Sequence, residues 1–475
     1  MGRSNEAGSS NPERADVLRV LGVLKIATAD QIYRLERPHL GFRHTAKKPS
    51  QWKSARSKSH RNAARDLIRE GLVVAAGATR GSGEALFSLT AKGLEAASYE
   101  LGRPRGEMGG IAAGAGRSGA QHAMSVNETV LALIRPVPDL DMLEGESAVA
   151  VAAAEAAVAA PPGVGAIGSF ATEVPLPATG TWSAPGHGGP QADLVLTAPE
   201  NGLPLLFVEV DNGHETPEVI AGKFEKCARF YRRRLRDAGG KETSTSFWET
   251  RWPPGRQRPE AHPPVLVVFN QIGQRPVRAV TKRVAELTRH LWAGSWEYER
   301  EYHTYDDRIP IVTTTLDLLR QHGPSGPAFW RLGRPERQSL TDAVGNPRQD
   351  AVETRRRAEH EEWMAREKRE RESRRPACAD CGTSLTADRW RHLDPDSWFG
   401  HPTAQWRGQD THSTRPLRCD PCEEQDSRRR RQKVMDEAAA KAARTAEEKQ
   451  RRLEEETEAE EALYRARRFP LPWRH

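Results

Sequence analysis

Residues 42–90 have the sequence FRHTAKKPSQWKSARSKSHRNAARDLIREGLVVAAGATRGSGEALFSLT. The first half, residues 42–65, contains eight lysines or arginines and no acidic residue. Apolar residues then recur at helical spacing before a glycine that can end the helix: Ala64, Leu67, Ile68 and Gly71. Two short apolar runs flank Gly81-Ser82-Gly83, which predicts a β-hairpin with a glycine tip.

A basic helix followed by a hairpin is the layout of a winged helix, whose second motif helix enters the DNA major groove. Contact with phosphates and base edges needs this one-sided positive charge. We therefore predict DNA contacts from Lys53, Arg56, Lys58, His60, Arg61, Arg65 and Arg80. A solvated basic helix beside an ordinary hairpin would give the same pattern without binding DNA.

The composition sets limits on the class of protein. A chain of 475 residues predicts two or three domains, and a net charge of +7 favours an anionic partner. No stretch approaches the roughly 20 apolar residues that span a bilayer, and the first residues lack the apolar core of a secretory signal. Four of the five cysteines form two CxxC pairs, which is typical of metal binding in a reduced compartment. We expect a cytoplasmic protein with no membrane partner.

The winged helix should occupy residues 12–103. Residues 12–24 have the periodicity of an amphipathic first helix, and Thr28 is placed to cap a second helix that Pro38 ends. Residues 104–121 are rich in Gly, Ala and Arg and predict a linker. The Ala- and Val-rich run at 147–160 fits a helix, a buried strand or low-complexity filler.

Residues 122–335 have the pattern of an α/β domain with a mixed sheet. Apolar runs predict strands at 170–174, 192–196, 205–210, 265–269 and 309–312, and helices are expected at about 122–134, 217–236 and 277–292. Asp193 begins one strand, and Glu209 and Asp211 lie two apart at the end of the next, so both should point to one face. Such carboxylates can hold Mg²⁺, which activates water for attack on a phosphodiester.

This order of helix, strands, aspartate, glutamate, helix and strand resembles the PD-(D/E)xK nuclease-like core, that is, a restriction-endonuclease-like sheet. The resemblance implies catalytic roles for Asp193 and Glu209. Asp211 stands where that family has its lysine, and Lys223 or Lys226 on the following helix would substitute for it.

The C-terminal part is predicted to consist of charged helices around a zinc module. Residues 336–376 and 426–475 carry dense alternating charge, which is typical of solvated helices. Residues 377–425 contain the sharpest motif in the chain, two CxxC turns 37 residues apart: Cys378, Cys381, Cys419 and Cys422. Four thiolates complete a tetrahedral, structural Zn²⁺ site, although a redox pair or unrelated thiols are alternatives. The insert between the turns, with Trp390, Trp398, His401 and Trp406, is expected to pack on this site, and stacking on bases is the alternative.

Taken together, these parts resemble the replication-relaxation family of actinobacterial plasmids and integrated elements over roughly residues 12–315. The resemblance depends on the TADQI segment at 28–32, the basic helix and glycine-tipped hairpin, the LTAKG segment at 89–93, residues 122–133, and FVEVDNG at 207–213. It implies a DNA-binding protein of a mobile element, acting in plasmid replication or conjugal transfer. Its partners would be double-stranded DNA and other replication or transfer proteins.

Two further functions stay open. One is a Mg²⁺-dependent endonuclease using Asp193, Glu209, Asp211 and Lys223, and the other is a winged-helix transcriptional regulator. The sequence has no histidine–hydrophobe–histidine pair of the kind that common relaxases use for their metal, so nicking through a tyrosine is not expected. We therefore favour a DNA-binding protein over an enzyme.

Overall fold

A computed structural model describes residues 7–111, 120–237, 239–252, 262–270, 276–393 and 417–468. Contacts divide the chain into two units, Met1–Thr354 and Arg355–His475. The finer division into six segments stays a prediction. Within the described residues, every helix is too short or too polar to cross a membrane.

The first unit begins with a helical region that carries a small sheet. Its helices are α1 (Asn11–Leu24), α2 (Ala29–Glu36), α3 (Pro49–Arg56), α4 (Lys58–Arg69) and α5 (Ala91–Leu101), with a 3-10 turn at Pro38–Phe42. Its strands are β1 (Ile26–Thr28), β2 (Val73–Ala78) and β3 (Ala85–Leu89). They form an antiparallel sheet in the order β1-β3-β2.

The rest of the first unit is built on a seven-stranded mixed sheet, which confirms the predicted mixed α/β class. Its strands are β4 (Phe170–Pro175), β5 (Gln191–Ala198), β6 (Leu203–Asp211), β9 (Val265–Phe269), β12 (Ile311–Thr315), β13 (Phe329–Arg331) and β14 (Arg337–Gln338). The order is β14-β13-β12-β9-β6-β5-β4. Strand β9 pairs in parallel with β6 and β12, and the outer pairs are antiparallel.

Helices and two short hairpins surround this sheet. The helices are α6 (Ala120–Ile134), α7 (Ala148–Ala159), α8 (Pro217–Arg232), α9 (Val277–Leu287), α10 (Arg289–Trp292), α11 (Leu316–His322) and α12 (Leu340–Val344). The hairpins are β7 (Arg234–Arg236) with β8 (Glu242–Ser246), and β10 (Ser295–Glu297) with β11 (Tyr302–Thr304).

Strand β6 shows how the sheet contributes to two apolar cores. Its alternating side chains point to opposite faces. Leu206, Val208 and Val210 join a cluster that also contains buried residues of α1, α4 and α6. Phe207 faces the other side, where it joins buried residues of α8 and α9. The basic N-terminal region and the sheet therefore share one continuous core.

Local sequence signals fix several of these elements. Thr28 accepts a hydrogen bond from the Gln31 backbone N–H, and the Gln31 side chain accepts one from Thr28 N–H, which closes a capping box at α2. Gly71 ends the α4 segment with φ +72°. At Gly93 in α5, a β-carbon would overlap the Leu72 carbonyl oxygen, so the helix can approach β2 only with glycine there.

Several predicted boundaries are wrong in detail. The basic stretch forms two helices with a break at Ser57, and the helix expected at 217–236 ends at Arg232, where a short strand follows. The helix expected at 277–292 is divided at Thr288, and the strand expected at 309–312 is β12, residues 311–315. The ambiguous segment 147–160 is helical, as α7.

The second unit contains the end of a long helix α13 (Pro347–Ser373), the short helix α14 (Ala387–Leu393) and α15 (Asp420–Arg468). The described side chains of α15 from Arg428 onward are mostly exposed, as a run of alternating charge predicts. Between α13 and α14, Ala377 and Ser384 form an antiparallel bridge that closes the first CxxC turn.

Candidate functional site

Helix α4 separates apolar from basic side chains. His60, Ala63, Ala64 and Leu67 are buried against the core. Lys58, Arg61 and Arg65 follow one another at spacings of three and four, so they share the opposite face. Lys58 and Arg65 are exposed, and Arg61 is half-buried because its guanidinium donates to Ser54 O at 2.7 Å.

The other predicted DNA-binding residues lie on α3 and the β2–β3 hairpin. Lys53 Nζ is 2.6 Å from Glu84 Oε2, which ties α3 to the hairpin. Arg56 donates to Arg43 O at 3.0 Å and lies over the ring of Trp52. Arg80 is exposed beside the hairpin tip. The structure thus gathers six of the seven predicted residues on α3, α4 and the hairpin, and we call this set the basic face: Lys53, Arg56, Lys58, Arg61, Arg65 and Arg80.

The prediction of a DNA contact from His60 is wrong, because its side chain is 0 % exposed. His60 Nε2 lies 3.1 Å from Asp16 Oδ2 in α1, and Asp16 also accepts hydrogen bonds from Arg37 and Arg19 at 2.6 Å. Burial alone would raise the pKa of Asp16, but the hydrogen bonds from His60 and Arg37 outweigh it and lower this pKa. His60 therefore fixes α4 to α1 instead of facing a ligand.

A cleft of about 380 Å³ holds the predicted acidic residues. Asp193, Glu209 and Lys223 line it, together with His122 from α6. Asp193 accepts a hydrogen bond from Val210 N–H at 2.8 Å and lies 3.0 Å from His122 Nε2. Lys223 Nζ contacts Glu209 Oε1 and is 2.6 Å from Glu215 Oε1, so the lysine of α8 bridges two carboxylates.

The charged side chains in this cleft shift one another's pKa values. Burial and the nearby charge of Asp193 raise the pKa of Glu209 to about 7, although Lys223 opposes this. The carboxylates of Glu209 and Glu215 in turn raise the pKa of Lys223 despite its burial. The hydrogen bond to Asp193 raises the pKa of His122. His122 was missed as a site residue, because nothing near it in the sequence distinguishes it from an ordinary helix residue.

Asp211 is not part of this cleft, contrary to the prediction. It is 5 % exposed, and its Oδ1 accepts a hydrogen bond from Gly213 N–H at 3.0 Å, which closes the turn after β6. Among the described residues, the cleft also lacks three ligand atoms within 4.8 Å of one another. The predicted Mg²⁺ therefore has no gathered ligand set here, and the ammonium of Lys223 occupies the place of a cation beside Glu209.

The four cysteines of the second unit do lie close enough together to form a set of metal ligands. The Sγ atoms of Cys378, Cys381, Cys419 and Cys422 all lie within 4.8 Å of one another, and Cys381 Sγ is 3.7 Å from Cys419 Sγ. The first turn is closed by Gly382 N–H donating to Cys378 O. Ala379 N–H donates to Leu417 O at 2.8 Å, which holds the two CxxC turns together.

This donor set fits a metal ion. Four sulfur ligands suit tetrahedral Zn²⁺ and leave no open position, so the metal would stabilise the fold. Backbone N–H groups of Cys419 and Cys381 lower the pKa of Cys378 to about 6, whereas the neighbouring thiols raise the pKa of Cys422. Such mutual repulsion between thiolates is relieved when a cation binds among them. The predicted packing of Trp398, His401 and Trp406 on this site concerns residues outside the described part of the chain.

Comparison with known proteins finds a family that matches part of the first unit. A family model described as Replication-relaxation matches residues 18–243. Residues 18–243 belong to the replication-relaxation family. This confirms the resemblance recognised in the sequence. No curated protein and no solved structure matches the chain significantly.

The replication-relaxation match suggests a role in plasmid replication or transfer. It covers the basic face as well as His122, Asp193, Glu209 and Lys223 of the cleft. It ends before the cysteine cluster, which lies about 135 residues further along the chain. The cysteine cluster therefore lies outside the region that matches the family model.

Proposed function

We propose that this protein binds duplex DNA of a mobile genetic element and acts in its replication or transfer. The order α1–β1–α2–α3–α4–β2–β3, with the sheet order β1-β3-β2, supports a winged helix in which α4 is the recognition helix. The hairpin β2–β3 would be the wing, with Arg80 near its tip. The family match supports the biological setting.

One observation carries the proposal. Helix α4 packs its apolar face on the core and presents Lys58, Arg61 and Arg65 on the opposite face. A helix held by its apolar side, with cations at i, i+3 and i+7, can enter a groove and reach phosphates on its rims. Arg56 extends the positive charge onto α3, where Lys53 is paired with Glu84.

The salt dependence of binding tests this proposal. We expect Lys58→Gln with Arg65→Gln to weaken binding to the element's origin region and to reduce the slope of log affinity against log salt by about 2, since each lost phosphate contact removes about 0.9. Fluorescence anisotropy with labelled duplex, between about 50 and 200 mM salt, measures both quantities.

A matched control variant removes the same number of positive charges from another surface of the protein. Arg278 and Lys282 are exposed on α9, four residues apart, and lie outside the basic face. Arg278→Gln with Lys282→Gln should leave the slope unchanged. Equal slopes for all three proteins would contradict the assignment of α4 as the docking helix.

A second candidate function is supported by Lys223. Its Nζ lies against Glu209, with Asp193 on the neighbouring strand and His122 beside it, so an acid, a base and a cation line one cleft. This arrangement supports a phosphodiesterase related to the PD-(D/E)xK enzymes, in which the lysine has moved to α8. Conversion of supercoiled to open-circular plasmid, measured with and without Mg²⁺ and lost in Glu209→Gln and Lys223→Met, would favour this candidate. Intact plasmid after prolonged incubation would exclude it.

A further inference from the structure

A second pocket, of about 400 Å³, lies on the side of α6 away from the acidic cleft. Four arginines line it, with a single acidic residue: Arg34, Arg56, Arg135, Arg320 and Glu128. We call it the arginine pocket. Its lining carries three more positive than negative charges, an excess that repels cations and attracts an anion.

Glu128 neutralises only part of this charge. Its carboxylate accepts hydrogen bonds from Arg34 at 2.8 and 3.1 Å and from Arg320 at 2.9 Å. The paired charges hold α2, α6 and α11 together around the pocket. Asp30 lies 3.5 Å from Arg34, and Asp317 lies 3.8 Å from Arg320, so carboxylates balance the charge of these two arginines. The excess positive charge of the pocket therefore comes from Arg56 and Arg135.

Arg135 adds a cation that lacks any ion-pair partner in the described residues. It follows the end of α6 with φ +46°, a left-handed conformation that side chains other than glycine rarely adopt. Its guanidinium lies where a β-carbon of Gly323 would otherwise be, at the end of α11. The left-handed backbone of Arg135 and the missing side chain at Gly323 thus let this guanidinium lie on the pocket wall, and strained non-glycine backbone concentrates at functional sites.

The remaining walls are apolar or aromatic. Tyr33 and Phe42 line one side, and Leu131 and Ala132 of α6 line another. The volume lies in the range of small-molecule sites, which combine apolar walls with a few fixed polar groups. Guanidinium groups match phosphate oxygens with paired hydrogen bonds. A phosphate attached to a flat, partly apolar group, as in a nucleotide, fits both features.

We propose that the arginine pocket binds the phosphate of a nucleotide, with Arg135, Arg320 and Arg56 as its ligands. The nucleotide is either free in solution or part of a DNA strand. The pocket joins α2 and α3 of the basic N-terminal region to α6 and α11 beside the sheet. A bound phosphate would therefore brace the basic face against the rest of the first unit.

Calorimetry on the full chain tests the pocket with two probes, ATP and a duplex oligonucleotide. Arg135→Gln and Arg320→Gln are the test variants, and Arg278→Gln on α9 removes equal charge outside the pocket. We expect each test variant to weaken binding of at least one probe about tenfold, because a charged hydrogen-bond pair is lost, and the control to leave both affinities unchanged. A loss confined to ATP identifies a free nucleotide, and a loss confined to the duplex identifies a strand phosphate.

The outcome is independent of the proposed DNA-binding function. The Lys58→Gln, Arg65→Gln variant should retain ATP binding whether or not its duplex binding falls. Unchanged affinities of Arg135→Gln and Arg320→Gln for both probes, or failure of wild type to bind either probe, would overturn the pocket assignment. If duplex binding fell only in the Lys58/Arg65 variant, and Arg135→Gln and Arg320→Gln also bound ATP like wild type, the DNA-binding proposal would stand and the pocket assignment would be refuted.

Discussion

The buried pair of His60 and Asp16 gives a prediction that separates the support of α4 from its proposed contacts. Replacing His60 by alanine removes a fully buried imidazole and its 3.1 Å hydrogen bond to a carboxylate. Asp16 keeps Arg19 and Arg37 at 2.6 Å, so it is not left without a partner. The cost should therefore be smaller than for a wholly broken buried pair.

The expected loss of stability in His60→Ala follows from these contacts. A hydrogen bond to a charged group contributes about 1.5–3 kcal/mol, and the cavity left by the ring adds to the loss. We expect His60→Ala to lower the free energy needed to unfold α4 locally by about 3 kcal/mol. This is less than the largest losses seen when a buried charge is left without a partner. Backbone amides of α4 should then exchange about a hundred times faster in deuterated water.

Hydrogen-exchange mass spectrometry of a peptide covering α4 measures this change. Arg61→Gln with Arg65→Gln is the contrasting variant, because these side chains lie on the other face of the same helix. It should flatten the salt dependence of duplex binding and leave exchange nearly unchanged, whereas His60→Ala should accelerate exchange and retain the wild-type salt slope. If His60→Ala flattened the slope without faster exchange, His60 would be a DNA contact and the packing argument would be refuted.

Three further predictions concern other parts of the chain. Elemental analysis should find about one zinc per chain, lost in Cys378→Ser with Cys419→Ser, and zinc retained in that variant would refute the four-cysteine ligand set. Burial and Asp193 raise the pKa of Glu209 from its ordinary value of 4.5 to about 7, so the folded protein holds this proton more tightly than the unfolded chain does. Protonated Glu209 should therefore contribute its full stability below about pH 4.5, and this contribution should decline as the pH rises to about 7. The melting temperature of Glu209→Gln should depend less on pH than that of wild type. An identical pH dependence of the two melting temperatures would contradict the raised pKa. Gly93→Ala should lower the melting temperature by several degrees, because the new methyl group meets the Leu72 carbonyl, whereas Gly106→Ala meets no atom within 4 Å and should melt like wild type.

Local patterns in the sequence were enough to predict most of the elements. Capping at Thr28, the glycine stop at Gly71 and the strand at 265–269 all depend on neighbouring residues, and the structure confirms them. The cysteine cluster was also predictable, because two CxxC turns need only come together to bring four sulfurs close. The hydrogen bond from Ala379 N–H to Leu417 O was not predictable, because Leu417 lies outside both CxxC motifs.

Two of the three site residues that the sequence analysis misjudged depend on distant contacts, and the third, Asp211, depends on a local turn. His60 has the same local surroundings as its basic neighbours, and only its pairing with Asp16, 44 residues away, makes it a buried residue. Asp211 was expected beside Glu209 because both lie on one face of β6, but the strand ends there and the side chain closes a turn. His122 reaches Asp193 across 71 residues, a distance over which periodicity carries no information.

The most direct test of the central proposal is the chemical reactivity of Lys58 with and without DNA. Its side chain is exposed on α4, and Lys282 on α9 is an exposed lysine outside the basic face. Acetylation of the full chain, quantified by mass spectrometry, should be strongly reduced at Lys58 when origin-region duplex is saturating, while Lys282 reacts as before. Equal reactivity of Lys58 in free and DNA-bound protein would contradict α4 as the helix that enters the groove.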